Sequence, residues 1–311
     1  MLNGSEYKLF QLLENFIQDI YGCSFLQTPL NPKIGQISEI AKAHITIRNI
    51  TNNLRFPYSE EFINDIFPIL EVALQWDHLK KERKRMPIFL EKCRKRMGPP
   101  SSNFRGTIFE IDIALRCLLS EWIIDFPEDY TKAEKQIDLI IKKKNNEIIA
   151  LECTQKRGSD EININDINNI IEEKSEKFKT EYMKFLERYY NINIKYKIII
   201  IDITRRGYKI PFEILNNLEK IIICENIDGI FLTWREDKVY SKKAHSLYIK
   251  YKSVGNLPDR YFTTTWCAEF RVRESGTVFF LRKYIEPEPA HGEWGPEESL
   301  SNKNNSKHYI D

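Results

Sequence analysis

Motifs that bind metals through cysteine or histidine are missing from this chain of 311 residues. The six cysteines, at positions 23, 93, 117, 153, 224 and 267, form no CxxC or CxH pair. The five histidines, at positions 44, 78, 245, 291 and 308, show no ligand spacing. These absences argue against a zinc site and against a framework of disulfides.

Several other signatures are also missing. The sequence contains no P-loop, no GxSxG and no dinucleotide-binding GxGxxG pattern, which argues against nucleotide hydrolysis, the α/β-hydrolases and Rossmann enzymes. It does not begin like a secretory signal, and no apolar run approaches the length of a membrane span. We therefore expect a soluble protein of the reducing cytoplasm, without a membrane partner.

The chain also lacks a marked excess of positive or negative charge, since its formal net charge is only +2. Any basic surface that binds nucleic acid must therefore be local. Hydrophobic residues make up 42% of the chain, enough to bury a sizeable core. The length allows one large domain or two moderate ones.

Two short apolar runs each carry one acidic residue. Residues 136–141 contain Asp138, and residues 148–156 contain Glu152. The connection at 142–147 is short and rich in turn-forming residues, so we expect the two runs to pair as a β-hairpin.

Alternation of side chains along the second strand predicts that Glu152, Thr154 and Lys156 share one face, with Cys153 on the other. A carboxylate among apolar strand residues is costly unless a cation meets it. Two carboxylates on paired strands, aimed at one point, suit a hard divalent cation such as Mg²⁺. Such a cation would activate a water and stabilise a phosphoryl transition state.

The chain changes character near residue 100. Apolar residues recur at helical spacing over residues 1 to about 98, most clearly at 7–21. Gly98-Pro-Pro-Ser-Ser102 interrupts this pattern and indicates a boundary. The predicted division is a helical domain at 1–100, an α/β domain at 101–255, a β-hairpin extension at 256–285 and a disordered tail at 286–311.

The middle of the chain alternates between helical and strand patterns. Residues 196–204 form a nearly continuous β-branched run, typical of a central strand buried on both faces. Strands joined through helices favour a mixed sheet with helices on both faces. The predicted elements are a helix at 104–119, strands at 122–126, 136–141 and 148–156, a helix at 165–190 capped by Asn165 or Asp166, a strand at 196–204, a helix at 211–226 and a strand at 227–234.

This order of elements, with its acids, resembles the PD-(D/E)XK nuclease superfamily over roughly residues 103–235. Asp138 stands in the second strand, Glu152 in the third, and Glu110 in the helix that precedes them. The resemblance implies an α/β fold in which a restriction-endonuclease-like mixed sheet is flanked by helices and preceded by the N-terminal helical domain.

The resemblance also implies an activity, the metal-dependent hydrolysis of phosphodiester bonds, as in a restriction or defence endonuclease. Asp138 and Glu152 would bind one or two Mg²⁺ ions, with Mn²⁺ able to substitute. Glu110 would be an outer or second-metal ligand, and the backbone carbonyl of Cys153 a further one. DNA is favoured over RNA as the substrate, and a homodimer would suit the cutting of both strands.

One position departs from the family pattern, which places a lysine two residues after the second acid. Thr154 stands there instead. Lys156 is the favoured replacement because it lies on the same predicted face, while Lys174 and Lys177 on the following helix are further candidates. Thr154 also supports another reading, an inactive nuclease-like module that binds nucleic acid or assembles with partners. A third is a protein-binding scaffold.

A basic segment at residues 80–96 carries nine Lys or Arg against two Glu. A solvated helix surface is the usual reading of such a run. Its single sign, in a nearly neutral protein, favours contact with phosphates. The predicted nucleic-acid contacts are Lys80, Lys81, Arg83, Lys84, Arg85, Arg94, Lys95 and Arg96, together with Arg205 and Arg206 after the central strand.

Overall fold

A computed structural model describes the chain in segments. The described residues are 3–22, 69–70, 72–73, 76–77, 91, 104–119, 123–125, 127, 137–143, 145–156, 162–205, 209–241, 244–257, 268–273 and 277–282.

The described strands form a nine-stranded sheet in the order β1-β9-β8-β7-β6-β5-β4-β3-β2. Strand β5 runs parallel to β4 and β6, and the other neighbouring pairs are antiparallel. The sheet is therefore mixed, as predicted. The strands are β1 Asn3–Lys8, β2 Ile123–Asp125, β3 Leu139–Lys142, β4 Ile148–Gln155, β5 Ile194–Asp202, β6 Gly229–Ser241, β7 Ala244–Gly255, β8 Ala268–Arg273 and β9 Thr277–Arg282.

Helices accompany this sheet, which confirms the prediction of an α/β protein with a mixed sheet flanked by helices. They are α1 Leu9–Tyr21, α2 Phe104–Leu119, α3 Ile164–Ser175, α4 Thr180–Tyr190 and α5 Phe212–Leu215, with 3₁₀ turns at Glu176–Phe178 and Leu218–Lys220. Within the described segments, no helix combines the length and the apolar character needed to cross a membrane.

Strand β5 is the centre of the core. Its run of isoleucines is fully buried, because parallel neighbours cover both of its edges and helices cover its faces. Ile199 and Ile201 pack into the same cluster as Ile167 of α3 and Met183 of α4. Alternation turns Ile200 to the opposite face, the one that α2 covers. The predicted central strand is confirmed.

The predicted helix at 165–190 is two helices. Between α3 and α4 lie a 3₁₀ turn and Lys179, whose backbone is extended at φ −61° and ψ 147°. The turn buries Phe178 in the core. The cap is Asn163 rather than Asn165 or Asp166, and the Asp166 side chain accepts a hydrogen bond from the Asn163 backbone N–H in a capping box.

Three other elements differ from prediction. Residues 3–8 are a strand rather than a helix, because they pair with β9 from the far end of the chain. The helix predicted at 211–226 ends at Leu215, and the nearby Asn217 side chain donates to the backbone carbonyl of Glu213. Asparagine competes in this way with helix hydrogen bonds. Strand β7 was not predicted.

Both predicted hairpins are confirmed, since β3 pairs with β4 and β8 pairs with β9 in antiparallel register. Other predictions fall outside the described residues, namely the lysines and arginines of 80–96, Arg206, the boundary at 98–102 and the tail at 286–311. The division into domains stays a prediction.

Candidate active site

The hairpin of β3 and β4 holds Asp138 in a fixed position. Asp138 lies one residue before β3, and its backbone N–H donates to the Leu151 carbonyl at 3.1 Å. Its side chain turns back to β4, where Oδ2 accepts the Cys153 backbone N–H at 2.7 Å. Asp138 therefore takes the place of a main-chain acceptor at the end of the ladder.

Glu152 lies within β4 on the face that carries α3 and α4. Only 1% of its surface is exposed. Oε1 faces two lysines, but Oε2 is buried without a hydrogen-bond partner among the described residues. Burying a carboxylate oxygen without a hydrogen bond lowers the stability of the fold. A contribution to stability therefore does not explain why a glutamate occupies position 152.

Lys177 joins the two acids. Its Nζ lies 2.5 Å from Oε1 of Glu152 and 3.8 Å from Oδ1 of Asp138. Lys174, one turn earlier, places its Nζ 3.6 Å from the same Glu152 oxygen. We call Asp138, Glu152, Lys174 and Lys177 the carboxylate–lysine cluster. The 3₁₀ turn after α3 carries Lys177 and so determines where its side chain begins.

Two groups of this cluster, Glu152 and Lys177, have shifted pKa values. Burial and, after it, the charge of Asp138 raise the pKa of Glu152 to about 8, against the opposing effect of Lys177. Burial acts in the other direction on Lys177, but Asp138 and Glu152 outweigh it, and the Lys177 pKa rises. The lysine therefore stays protonated beside a carboxyl that accepts a proton near neutral pH.

The acids of the cluster also affect the pKa values of neighbouring groups. Burial raises the pKa of the Cys153 thiol well above its usual value, and Asp138 and then Glu110 raise it further. Cys153 is thus a neutral thiol and not a nucleophile. Burial also raises the pKa of Tyr182 to about 12, opposed by a backbone hydrogen bond at Ile137.

Glu110 of α2 is half-buried, and its charge contributes to the raised pKa values of both Cys153 and Lys177. Among the described residues, Glu110 is nevertheless not gathered with Asp138 and Glu152 into a group of three possible ligands. Asp112, two residues later, is instead buried against Arg235.

The structure brings Lys177, and not Lys156, to the two acids. Strand β4 ends at Gln155, so the alternation that the Lys156 prediction assumed stops before that residue. Lys156 is exposed, and its backbone N–H bonds the Asp202 carbonyl at 2.9 Å. Thr154 is half-buried and lies two residues after Glu152 on the same face of β4.

The residues present fit a small divalent cation in a limited sense. Among the described residues, no group of three or more His, Cys, Asp or Glu side chains is gathered as a metal site. Mg²⁺ needs fewer protein ligands, because it keeps several waters and is held by one or two carboxylates. Asp138 and the unpartnered Oε2 of Glu152 supply that minimum. A ligand role for the Cys153 carbonyl stays a prediction.

Arg205 lies three residues after the end of β5, and the sequence predicted that it contacts phosphate there. One end of its guanidinium lies 3.6 Å from Glu213, while its Nε is buried without a hydrogen-bond partner in the described part of the chain. Contact with phosphate stays a prediction for this residue.

A second buried charge group was not predicted. Arg235 of β6 donates to Oδ2 of Asp202 at 3.0 Å and to Oδ2 of Asp112 at 3.2 Å. We call these three residues the buried clamp. Each follows or interrupts an apolar run, but they are far apart in the sequence, so only the fold reveals that they meet. Polar residues directly after the runs at 194–201 and 229–234 were the available signal.

The chain matches no family model, no curated protein and no solved structure.

Proposed function

We propose that this protein is a metal-dependent nuclease that hydrolyses phosphodiester bonds at the carboxylate–lysine cluster. The observation that carries the proposal is the buried Glu152, whose Oε2 lacks a hydrogen-bond partner beside a second carboxylate, Asp138. Lys177 contacts both acids and leaves that oxygen open. Strongly perturbed groups of this kind concentrate at functional sites.

Asp138 and Glu152 are the residues that would hold Mg²⁺ or Mn²⁺, with Glu110 as a further carboxylate. A bound divalent cation supplies positive charge that polarises a phosphoryl oxygen and lowers the pKa of water. The protein's part is to fix the two carboxylates, and the hydrogen bond from Cys153 to Asp138 does so on one side. The buried position of Glu152 in β4 does so on the other.

Lys177 would supply the cationic side chain that the Thr154 position lacks. The neighbouring acids keep its ammonium protonated, so it can donate hydrogen bonds to a phosphate oxygen or to the attacking water. Lys174 adds a second positive charge within reach of Glu152. Together the two lysines offset the carboxylates, which would otherwise repel an anionic substrate.

The element order supports a restriction-endonuclease-like fold for the core. A helix, an antiparallel group of β2, β3 and β4, two more helices and the parallel β5 follow one another, with the acids where the resemblance expects them. On that resemblance we propose DNA as the substrate, ahead of RNA. The cytoplasm is the proposed location, and the basic segment at 80–96 the proposed contact with the phosphate backbone.

A cleavage assay tests the proposal. Plasmid DNA, single-stranded DNA and RNA are incubated with the wild type, Asp138→Asn and Glu152→Gln, in Mg²⁺, Mn²⁺ or EDTA. Cutting that needs metal and disappears in both variants is expected. Glu147→Gln is the matched control, because it removes a carboxylate that pairs with Lys195 at the other end of β4. Cutting that survives in the two site variants would overturn the assignment.

A second candidate is an inactive nuclease-like module that binds nucleic acid. It is favoured by Thr154 and by the direct ion pair of Lys177 with Glu152, which could be purely structural. Divalent metal separates the two candidates, because a ligand that binds only the folded state raises its stability. The inactive module should show salt-dependent DNA binding without metal-dependent stabilisation.

A further inference from the structure

Lys177 lies against the carboxylate oxygens that a metal ion would use. Oδ2 of Asp138 already accepts the Cys153 backbone N–H at 2.7 Å, so Oδ1 is the oxygen left for a further ligand. The Lys177 Nζ lies 3.8 Å from that Oδ1 and 2.5 Å from Oε1 of Glu152. The ammonium therefore bridges the same two acids that would bind a divalent cation, and it balances part of their negative charge.

An ammonium and a metal ion compete for such a pair of carboxylates. Two cations that contact the same oxygens repel each other, and the repulsion is strong where the site is shielded from water. Glu152 is only 1% exposed, so water does little to weaken this repulsion. A divalent cation carries twice the charge of an ammonium and takes several oxygen ligands together. We therefore expect the metal to displace the lysine.

The Lys177 side chain can leave the acids without disturbing the fold. Its backbone belongs to the 3₁₀ turn Glu176–Phe178, which Phe178 anchors in the core. The side chain itself is one fifth exposed, so part of it already contacts solvent. A lysine also has a flexible stem of four carbons and a compact charge, unlike the rigid guanidinium of Arg235 in the buried clamp.

We propose that Lys177 is an internal counter-cation of Asp138 and Glu152, which a divalent metal ion displaces and so releases toward the phosphate of the substrate. Lys174 is less suited to this role, because its contacts in the described structure are with Glu152 and, at 3.5 Å, with its neighbour Glu173. The inference rests on the proposed function, since it sets the order of events at that same site. The metal binds first, and the lysine then becomes available to an anion.

Binding of Mn²⁺ alone to the full-length protein tests this competition. Free Mn²⁺ is measured by electron paramagnetic resonance for the wild type, Lys177→Met and Lys174→Met, with Lys195→Met as the control. Methionine keeps a flexible apolar stem and removes the charge. Lys195 pairs with Glu147 at the other end of β4, so its loss should leave the Mn²⁺ affinity unchanged.

We expect Lys177→Met to bind Mn²⁺ about tenfold more tightly than the wild type, because the competing charge is gone. Lys174→Met should show a smaller gain, since this lysine contacts one acid of the pair. Equal or weaker binding in folded Lys177→Met would overturn the inference, and weaker binding would mean that the lysine holds Glu152 in place for the metal. No Mn²⁺ binding in the wild type or in any variant would instead contradict the proposed function itself.

A second measurement uses the wild type alone and so does not depend on how the variants fold. Lysines are labelled by reductive methylation with and without saturating Mn²⁺, and the labelled peptides are quantified by mass spectrometry. The metal should raise the labelling of Lys177 severalfold, with Lys195 as the internal reference. Unchanged labelling of Lys177 in protein that has bound Mn²⁺ would show that the lysine stays on the acids and would contradict the inference.

Discussion

The carboxylate–lysine cluster and the buried clamp have similar composition but different completeness. Both place two acids and basic side chains against the same sheet, on opposite faces. In the clamp, Asp202 uses both oxygens, since Oδ1 accepts the Thr204 backbone N–H and Oδ2 accepts from Arg235 and Gln155. In the cluster, Oε2 of Glu152 is buried without a partner in the described segments.

This difference separates a structural charge group from a candidate reactive one. A buried ionic group that serves the fold is expected to satisfy its hydrogen-bonding atoms, as the clamp does. A site that must accept a ligand keeps a position open, at some expense of stability. The open oxygen of Glu152 therefore supports its proposed catalytic role, whereas the satisfied oxygens of Asp202 favour a structural one.

The largest expected effect is on activity at the open cluster. Glu152→Gln should reduce cleavage by at least about a thousandfold, or roughly 4 kcal/mol of transition-state stabilisation, because an amide is a poor ligand for a divalent cation. The melting temperature of this variant should be no lower than that of the wild type. Initial rates on plasmid, with melting curves on the same samples, measure both; a variant that unfolds early but still cuts would reverse the comparison.

The second effect is a pH dependence of stability that arises from Glu152. Because its pKa rises from 4.5 to about 8 on folding, the folded state holds an extra proton between those values. The free energy of unfolding should therefore fall as pH rises through that range, by up to about 5 kcal/mol in total, and level off above it. Urea unfolding of metal-free protein at pH 5 to 9 measures this slope. Glu152→Gln should lose it, whereas an equal slope in both proteins would assign the titration elsewhere.

The third effect is on the stability that the clamp provides. Arg235→Ala should lower the free energy of unfolding by about 3 kcal/mol, because it leaves Asp112 and Asp202 buried without their cation. Lys177→Ala, at a position one fifth exposed, should change it by much less. Denaturant titration of the two variants under identical conditions measures the contrast, and a larger loss in Lys177→Ala would contradict it.

The smallest effect distinguishes two lysines. Lys177→Met should lower the rate of cleavage by about 10- to 100-fold, since it removes the ammonium next to both acids. Lys156→Met should leave the rate within about twofold, since that side chain is exposed and outside the cluster. Single-turnover rates at saturating Mg²⁺ decide between them. A larger loss in Lys156→Met would restore the assignment made from the sequence.

Local signals in the sequence were sufficient for several elements. The hairpin that brings Asp138 beside Glu152 followed from two apolar runs and a short turn, and the structure has it. The isoleucine run at 198–201 indicated a central strand because its apolar residues are continuous and do not alternate with polar ones. Such a run is typical of a strand buried on both faces, and these residues are buried. The β-hairpin predicted within residues 256–285 is present as β8 and β9.

Other features depend on contacts between distant parts of the chain. Strand β1 exists because β9 pairs with it, and a helical reading of residues 3–8 could not anticipate that partner. The break between α3 and α4 places Lys177 at the two acids, whereas the charged sequence continues through it without a clear stop signal. Asp112, Asp202 and Arg235 meet only after α2, β5 and β6 have assembled.

Metal titration of the cluster tests the central claim most directly. Isothermal calorimetry with Mn²⁺ on the wild type, Asp138→Asn, Glu152→Gln and the Glu147→Gln control would show whether the open carboxylate pair is a ligand site. The account predicts saturable binding in the wild type and the control, with a rise in melting temperature, and its loss in both cluster variants. Equal binding in all four proteins, or binding in none, would contradict it.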